Sequence, residues 1–203
     1  MATSTRGTRW MEEGAVFATL FLALAMLATT ARGDTFQWTA TADGNWTVAS
    51  NWTPNTGYPD AVGDRAELSG GMTSNGETRT VTLNDDVTLG SMYVRGNTNQ
   101  SNYVISGTGS ITLDNGASPV AIDFGQGSTG SRHDVAVPVT IAASTVNFAL
   151  GSRQGVISGD MTASSGNDVT LNFSGVQNVV LSGNNDFNNG TINVDSGGTA
   201  TFS

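Results

Sequence analysis

The sequence predicts an all-β protein wound as a right-handed parallel β-helix, and four observations point there. Short apolar alternations return every 8 to 12 residues from Val81 onward, which is strand spacing rather than helix spacing. The segments between them are built from Gly, Asn, Asp and Ser, each of which turns a chain for its own physical reason. With 26 glycines among 203 residues and only 12% charged side chains, the composition suits strands and turns. Finally, the string VISG occurs at 104–107 and again at 156–159, each time followed by a Thr-rich strand and a polar turn. Self-similarity of this kind marks successive coils of a solenoid, and the spacing of 52 residues fits two or three of them. A β-sandwich has similar strand spacing but no reason to repeat Ser-Gly and Asn-Gly corners.

The expected elements follow in order. Residues 1–33 read as an export signal: Arg6 and Arg9 precede an apolar run at 15–28, and Ala31 and Gly33 place small residues before a cleavage point at Asp34. The apolar run is shorter than the ~20 residues that span a bilayer as a helix, and an uncut anchor is the alternative to a cleaved signal. Mass spectrometry of exported material is expected to find Asp34 or a near neighbour at the N-terminus; an intact Met1 retained in the cytoplasm is the contrary result. Residues 34–68 hold Trp38, Trp46 and Trp52, three of the four tryptophans, and read as an N-terminal cap that covers the apolar face of the first coil. Residues 69–203 read as the coils. Their strands are expected at Val81-Thr82-Leu83, Met92-Tyr93-Val94, Tyr103-Val104-Ile105, Ile111-Thr112-Leu113, Val120-Ala121-Ile122, 135–141, Val146-Asn147-Phe148, 169–173, Val179-Val180-Leu181 and a closing pair. Ile105, Leu113, Ile122, Ile141, Phe148, Leu171 and Leu181 are the expected core.

The closing pair carries a family signature. In LSGNNDFNNGTINVDSGGTATF, Leu181, Gly183, Asn185, Gly190, Thr191, Gly198 and Thr199 match the pattern of the autotransporter-associated β-strand repeat, which this stretch resembles. Phe187 stands where that family has Tyr, Asn189 stands for the first glycine of a pair, and Ala200 for a final Leu. Asparagine tolerates left-handed backbone best among non-glycine residues, so the turn is kept. Trp38, Gly44-Asn45-Trp46, Asn51-Trp52, Pro59, Gly63 and Asp64 also resemble the opening segment of proteins that carry this repeat. The resemblance implies a secreted or outer-membrane, cell-surface protein of the bacterial passenger type, serving adhesion or display. It also implies that the chain is a fragment of a longer protein or a stand-alone secreted piece.

Composition narrows the chemistry. A net charge of −9, with eight arginines and no lysine, lacks the basic footprint that nucleic acid requires. Pectin-lyase-like chemistry pairs acidic calcium ligands with a basic proton acceptor, and this chain is poor in the latter. His133, the only histidine, is expected as an exposed turn residue between Arg132 and Asp134. Asp85, Asp86, Asp114, Asp123, Asp160 and Asp168 adjoin turn residues and are expected to cap local backbone rather than to pair as glycosidase acids. Ser196-Gly197-Gly198-Thr199 departs from the calcium-binding nonapeptide, and Gly107-Thr108-Gly109 from a dinucleotide fingerprint. No cofactor, metal or catalytic residue is expected.

Two other functions stay open at this point. Trp46 and Trp52 could form a sugar-stacking platform in a carbohydrate-binding module, since aromatic faces pack on the apolar faces of sugars. A face of aspartates could belong to a polysaccharide-degrading enzyme. The expected partners are a cell-surface or matrix polysaccharide and, through the alternation at 198–202, a second copy of the chain at the C-terminal edge.

Overall fold

A computed structural model describes residues 33–203 except 97, 99, 126–131, 152–153, 176–177 and 196. The export-signal reading of residues 1–33 therefore falls almost wholly outside the described residues. The rest is a parallel β-solenoid of about five turns. Each coil lays one short strand on each of three sheets before the chain climbs to the next.

The first full coil consists of Arg65–Leu68, Thr78–Thr82 and Val87–Leu89, and the second of Ser91–Val94, Asn102–Ser106 and Ile111–Leu113. Val120–Asp123, Arg132–Val135 and Val139–Ile141 form the third; Thr145–Leu150, Gln154–Ile157 and Met161–Ala163 the fourth. Thr170–Gly175, Asn178–Leu181 and Asn185–Asp186 form the fifth. A partial coil of Thr35–Trp38 and Gly44–Asn45 precedes them, and Thr191–Val194 with Thr199–Phe202 follows. Every strand pairs in parallel with its equivalents in the neighbouring coils, because the chain returns to each sheet in the same direction. The exception is Trp52–Thr53, which runs antiparallel along Thr35–Trp38 at the edge of the first sheet.

Strand alternation sends every second side chain inward, and the register aligns these into columns. Phe36, Ala66, Met92, Ile122, Phe148 and Phe173 stack through the first sheet. The rings of Phe148 and Phe173 lie parallel at 4.5 Å. Val81, Ile105, Val135, Ile157 and Leu181 form the column of the second sheet, and Leu89, Leu113 and Ile141 one of the third. All seven expected core residues are fully buried. Each buried aliphatic side chain contributes ~1.5–3 kcal/mol of transfer free energy, so the column is the main source of stability.

Two expectations change. The run 135–141 is two strands, because Ala136, Val137 and Pro138 form a corner and Pro138 has no N–H for a ladder. Val87–Leu89 is a strand that was too short to stand out in the sequence. The spacing of the two VISG strings agrees with the expectation of two or three coils: they lie two coils apart on the second sheet, where Val104 aligns with Asp134 and Asp134 with Val156.

Candidate functional site

The tryptophans come first, as the only aromatic cluster that sequence offered as a binding surface. Trp38 and Trp52 are a cross-strand pair with ring centroids 5.1 Å apart, edge to face. Trp46 lies 4.9 Å from Trp52. The indole Nε1–H of Trp46 donates to the Pro59 carbonyl at 3.1 Å, and that of Trp52 to the Trp46 carbonyl at 2.6 Å. All three rings are buried. A sugar-stacking platform needs a ring face open to solvent, and neither Trp46 nor Trp52 has one. The rings instead fill the interior of the first, partial coil.

His133 is a second correction: it is fully buried rather than exposed in a turn. It sits on the strand Arg132–Val135 two residues before Val135, and so shares that residue's inward phase. Register places it over Tyr103, which lies over Arg79, and the three form a polar column inside the second sheet. Tyr103 donates its backbone N–H to His133 Nδ1 at 3.1 Å, and its hydroxyl donates to the Gly70 carbonyl. Burial pushes the Tyr103 hydroxyl well above its ordinary value. Arg79 donates to the Gly71 carbonyl at 3.2 Å and pairs with Glu77. The Thr73 N–H, with help from Ser74 and Arg79, holds the Glu77 carboxyl below its usual range. The column thus ties the loop at 70–77 to the solenoid wall and satisfies polar groups that burial would otherwise penalise.

The aspartates serve backbone and neighbouring coils. Asp114 accepts from the Gly116 N–H at 2.8 Å and Asp123 from the Gly125 N–H at 2.7 Å, closing tight turns. Asp86 accepts from the Ser110 hydroxyl at 2.8 Å, and Asp160 from the Asn184 N–H at 2.8 Å, each across one coil. Asp85 and Asp168 are exposed in connections between strands. Among the described residues, no group of three or more His, Asp or Glu side chains is arranged to hold a metal ion.

The outward faces carry ladders. On the first sheet, Asn193 Nδ2 donates to Asn172 Oδ1 at 2.8 Å and Asn172 Nδ2 to Asn147 Oδ1 at 2.9 Å. On the second, the Ser158 hydroxyl donates to Asp134 at 2.7 Å. On the third, Thr88, Thr112, Thr140 and Thr162 align in one half-buried rank. Farther along the first sheet, the Arg65 guanidinium lies 3.7 Å from the centre of the Tyr93 ring and that of Arg95 at 5.0 Å. Arg65 also pairs with Glu67 at 3.2 Å, and Arg95 with Asp123. Beside Asp123, a depression of about 170 Å³ is lined by Ala149, Leu150, Gly151, Ser174 and Gly175. It holds no second carboxylate to work with Asp123.

These features define the class as a parallel β-solenoid with polar outer ladders. When the chain is compared with known proteins, no family model, curated protein or solved structure matches it.

Proposed function

We propose that this chain is a secreted or cell-surface structural repeat protein, similar to autotransporter passengers, whose long outer faces serve adhesion or display. The observation that favours this reading is the direction of the outward polar side chains. Asn147, Asn172 and Asn193 bond along the solenoid, as do Asp86 with Ser110 and Asp134 with Ser158. Groups spent on joining coil to coil build a stiff rod with periodic faces, whereas an enzyme needs converging groups left free to act. The segment 34–68 acts as the cap in this reading, with Trp38, Trp46 and Trp52 shielding the first coil from water. Fold alone names no target, so the reading rests on these ladders and on the repeat resemblance at 181–202.

The test has two arms. Produced in a Gram-negative host, the chain is expected in the medium or accessible to protease on intact cells; confinement to the cytoplasm overturns the reading. Purified material is then offered polysaccharides of plant, algal and bacterial origin. Retention without release of reducing ends or unsaturated products fits adhesion. Steady product release, abolished by Asp123→Asn, replaces the structural reading with the enzymatic one.

A further inference from the structure

The sequence contains three Asn-Gly pairs, Asn75-Gly76, Asn115-Gly116 and Asn189-Gly190, and the fold treats them differently. Such a pair can modify itself. The glycine nitrogen gives up its proton to water and attacks the asparagine Cγ, ammonia leaves and a succinimide ring forms. Water then opens the ring at either carbonyl, giving aspartate or isoaspartate. Glycine permits the attack because it has no Cβ to hinder the approach. A glycine N–H that is already hydrogen-bonded must first be released. Gly116 donates its N–H to the Asp114 carboxylate at 2.8 Å, and Gly190 donates its N–H to the Phe187 carbonyl at 3.0 Å. The Gly76 N–H donates to none of the described residues. Asn75 and Gly76 are both exposed, and a Cβ on Gly76 would meet nothing within 4 Å, so water reaches the reacting atoms.

We propose that Asn75 is a site of spontaneous deamidation selected by the fold, and that its conversion loosens the loop at 70–77. The Glu77 carboxylate accepts from the Thr73 N–H at 2.9 Å and the Ser74 N–H at 3.2 Å, so Asn75 and Gly76 lie inside a ring closed by that side chain. Glu77 also pairs with Arg79. The Ser74 carbonyl accepts from the Thr98 hydroxyl at 2.9 Å, which joins this loop to the equivalent loop of the second coil. Deamidation places a further negative charge two residues before Glu77, where like charges repel. Isoaspartate in addition lengthens the main chain by one carbon inside the ring, which cannot then keep its spacing. The Gly70 and Gly71 carbonyls that receive Tyr103 and Arg79 belong to the same loop, so the change acts on the polar column of the second sheet. This inference is independent of the adhesion reading, since it needs only the geometry of the three pairs.

Trypsin separates the three pairs, because the arginines leave Asn75 in the peptide 66–79, Asn115 in 96–132 and Asn189 in 154–203. The full chain is aged at mildly alkaline pH, folded in buffer or unfolded in urea, and the peptides are sequenced by mass spectrometry. Isoaspartate is identified by its separate elution and by methylation with an isoaspartyl methyltransferase. In the folded chain Asn75 is expected to acquire the amide-to-acid mass change about tenfold faster than Asn115 or Asn189, the factor that release of one hydrogen bond supports. In urea the three rates should converge. Equal rates in the folded chain, a lead for Asn115 or Asn189, or the same preference for Asn75 in urea overturns the site. Asn75→Gln, whose longer side chain closes the ring far more slowly, should leave 66–79 unchanged over the same time. The aged unmodified chain should then melt below the fresh one, and aged Asn75→Gln should melt with its own fresh sample. A midpoint that does not move on full conversion at Asn75 overturns the loosening of the loop.

Discussion

Leu171→Asp is expected to lower the stability of the solenoid by about 4 kcal/mol or more, near the top of what one substitution does. Leu171 is fully buried, aligned between Val146 below and Ile192 above on the first sheet. A carboxylate there loses its water and gains no partner from those neighbours, so it either stays ionised at a large cost or takes up a proton. Removal of the leucine also takes away van der Waals contacts with the adjacent coils. Each coil of a solenoid touches chiefly its neighbours, so the damage is expected to unfold the fifth and final coils before the first. Thermal melting and hydrogen exchange together read this out: a lower midpoint, with protection lost first at Thr170–Gly175. Asn172→Asp, one residue on and facing outward, supplies the control and should shift the midpoint only slightly. If Leu171→Asp melts with the unmodified chain, the inward and outward phases of this strand are exchanged.

Phase was the part of the fold most legible in the sequence, and only where apolar residues mark it. Ile105, Leu113, Ile122, Ile141, Phe148, Leu171 and Leu181 each stand between half-buried or exposed neighbours, many of them polar, and all seven are buried. His133 carries the same phase, two residues before Val135, as Tyr103 does before Ile105 and Arg79 before Val81. That shared offset was the available signal, but Arg132-His133-Asp134 has the composition of a turn. What makes burial tolerable is the Tyr103 N–H and the loop carbonyls of Gly70 and Gly71, brought near only by folding. Trp46 and Trp52 pose the same difficulty, since a ring that stacks on sugar and a ring that fills a core are the same residue. Their Nε1 partners are backbone carbonyls of Pro59 and Trp46, which no motif displays. The outer ladders were illegible for a further reason. Asn147, Asn172 and Asn193 align only because the intervening coils have the lengths they do, and those lengths are irregular along the chain.

The Ser-Gly corners were legible as turns, and their geometry sets a second large effect: Gly159→Val is expected to destabilise the solenoid about as strongly as Leu171→Asp. A Cβ on Gly159 would lie 2.0 Å from the Val137 carbonyl oxygen and 2.4 Å from its carbon. Both are backbone atoms of the previous coil, which cannot rotate aside as a side chain can. The glycine is also held in place, since its N–H donates to the Val135 carbonyl at 3.1 Å alongside that of Ser158 at 2.9 Å. The fifth and second coils share the constraint, because a Cβ on Gly183 would lie 2.3 Å from the Gly159 oxygen and one on Gly107 would lie 1.9 Å from the Leu83 oxygen. Widening one corner to admit a methyl group therefore pulls on hydrogen bonds in two sheets. Alanine at 159 already meets the clash; valine adds two methyl groups to it. Gly57 provides the comparison, because a Cβ there would meet only a Phe36 ring carbon at 3.9 Å. Urea midpoints should rank Gly57→Ala near the unmodified chain, Gly159→Ala well below it and Gly159→Val lowest or unfolded. Equal midpoints for Gly57→Ala and Gly159→Ala would mean that the corner at Val137 and Gly159 is not packed backbone against backbone.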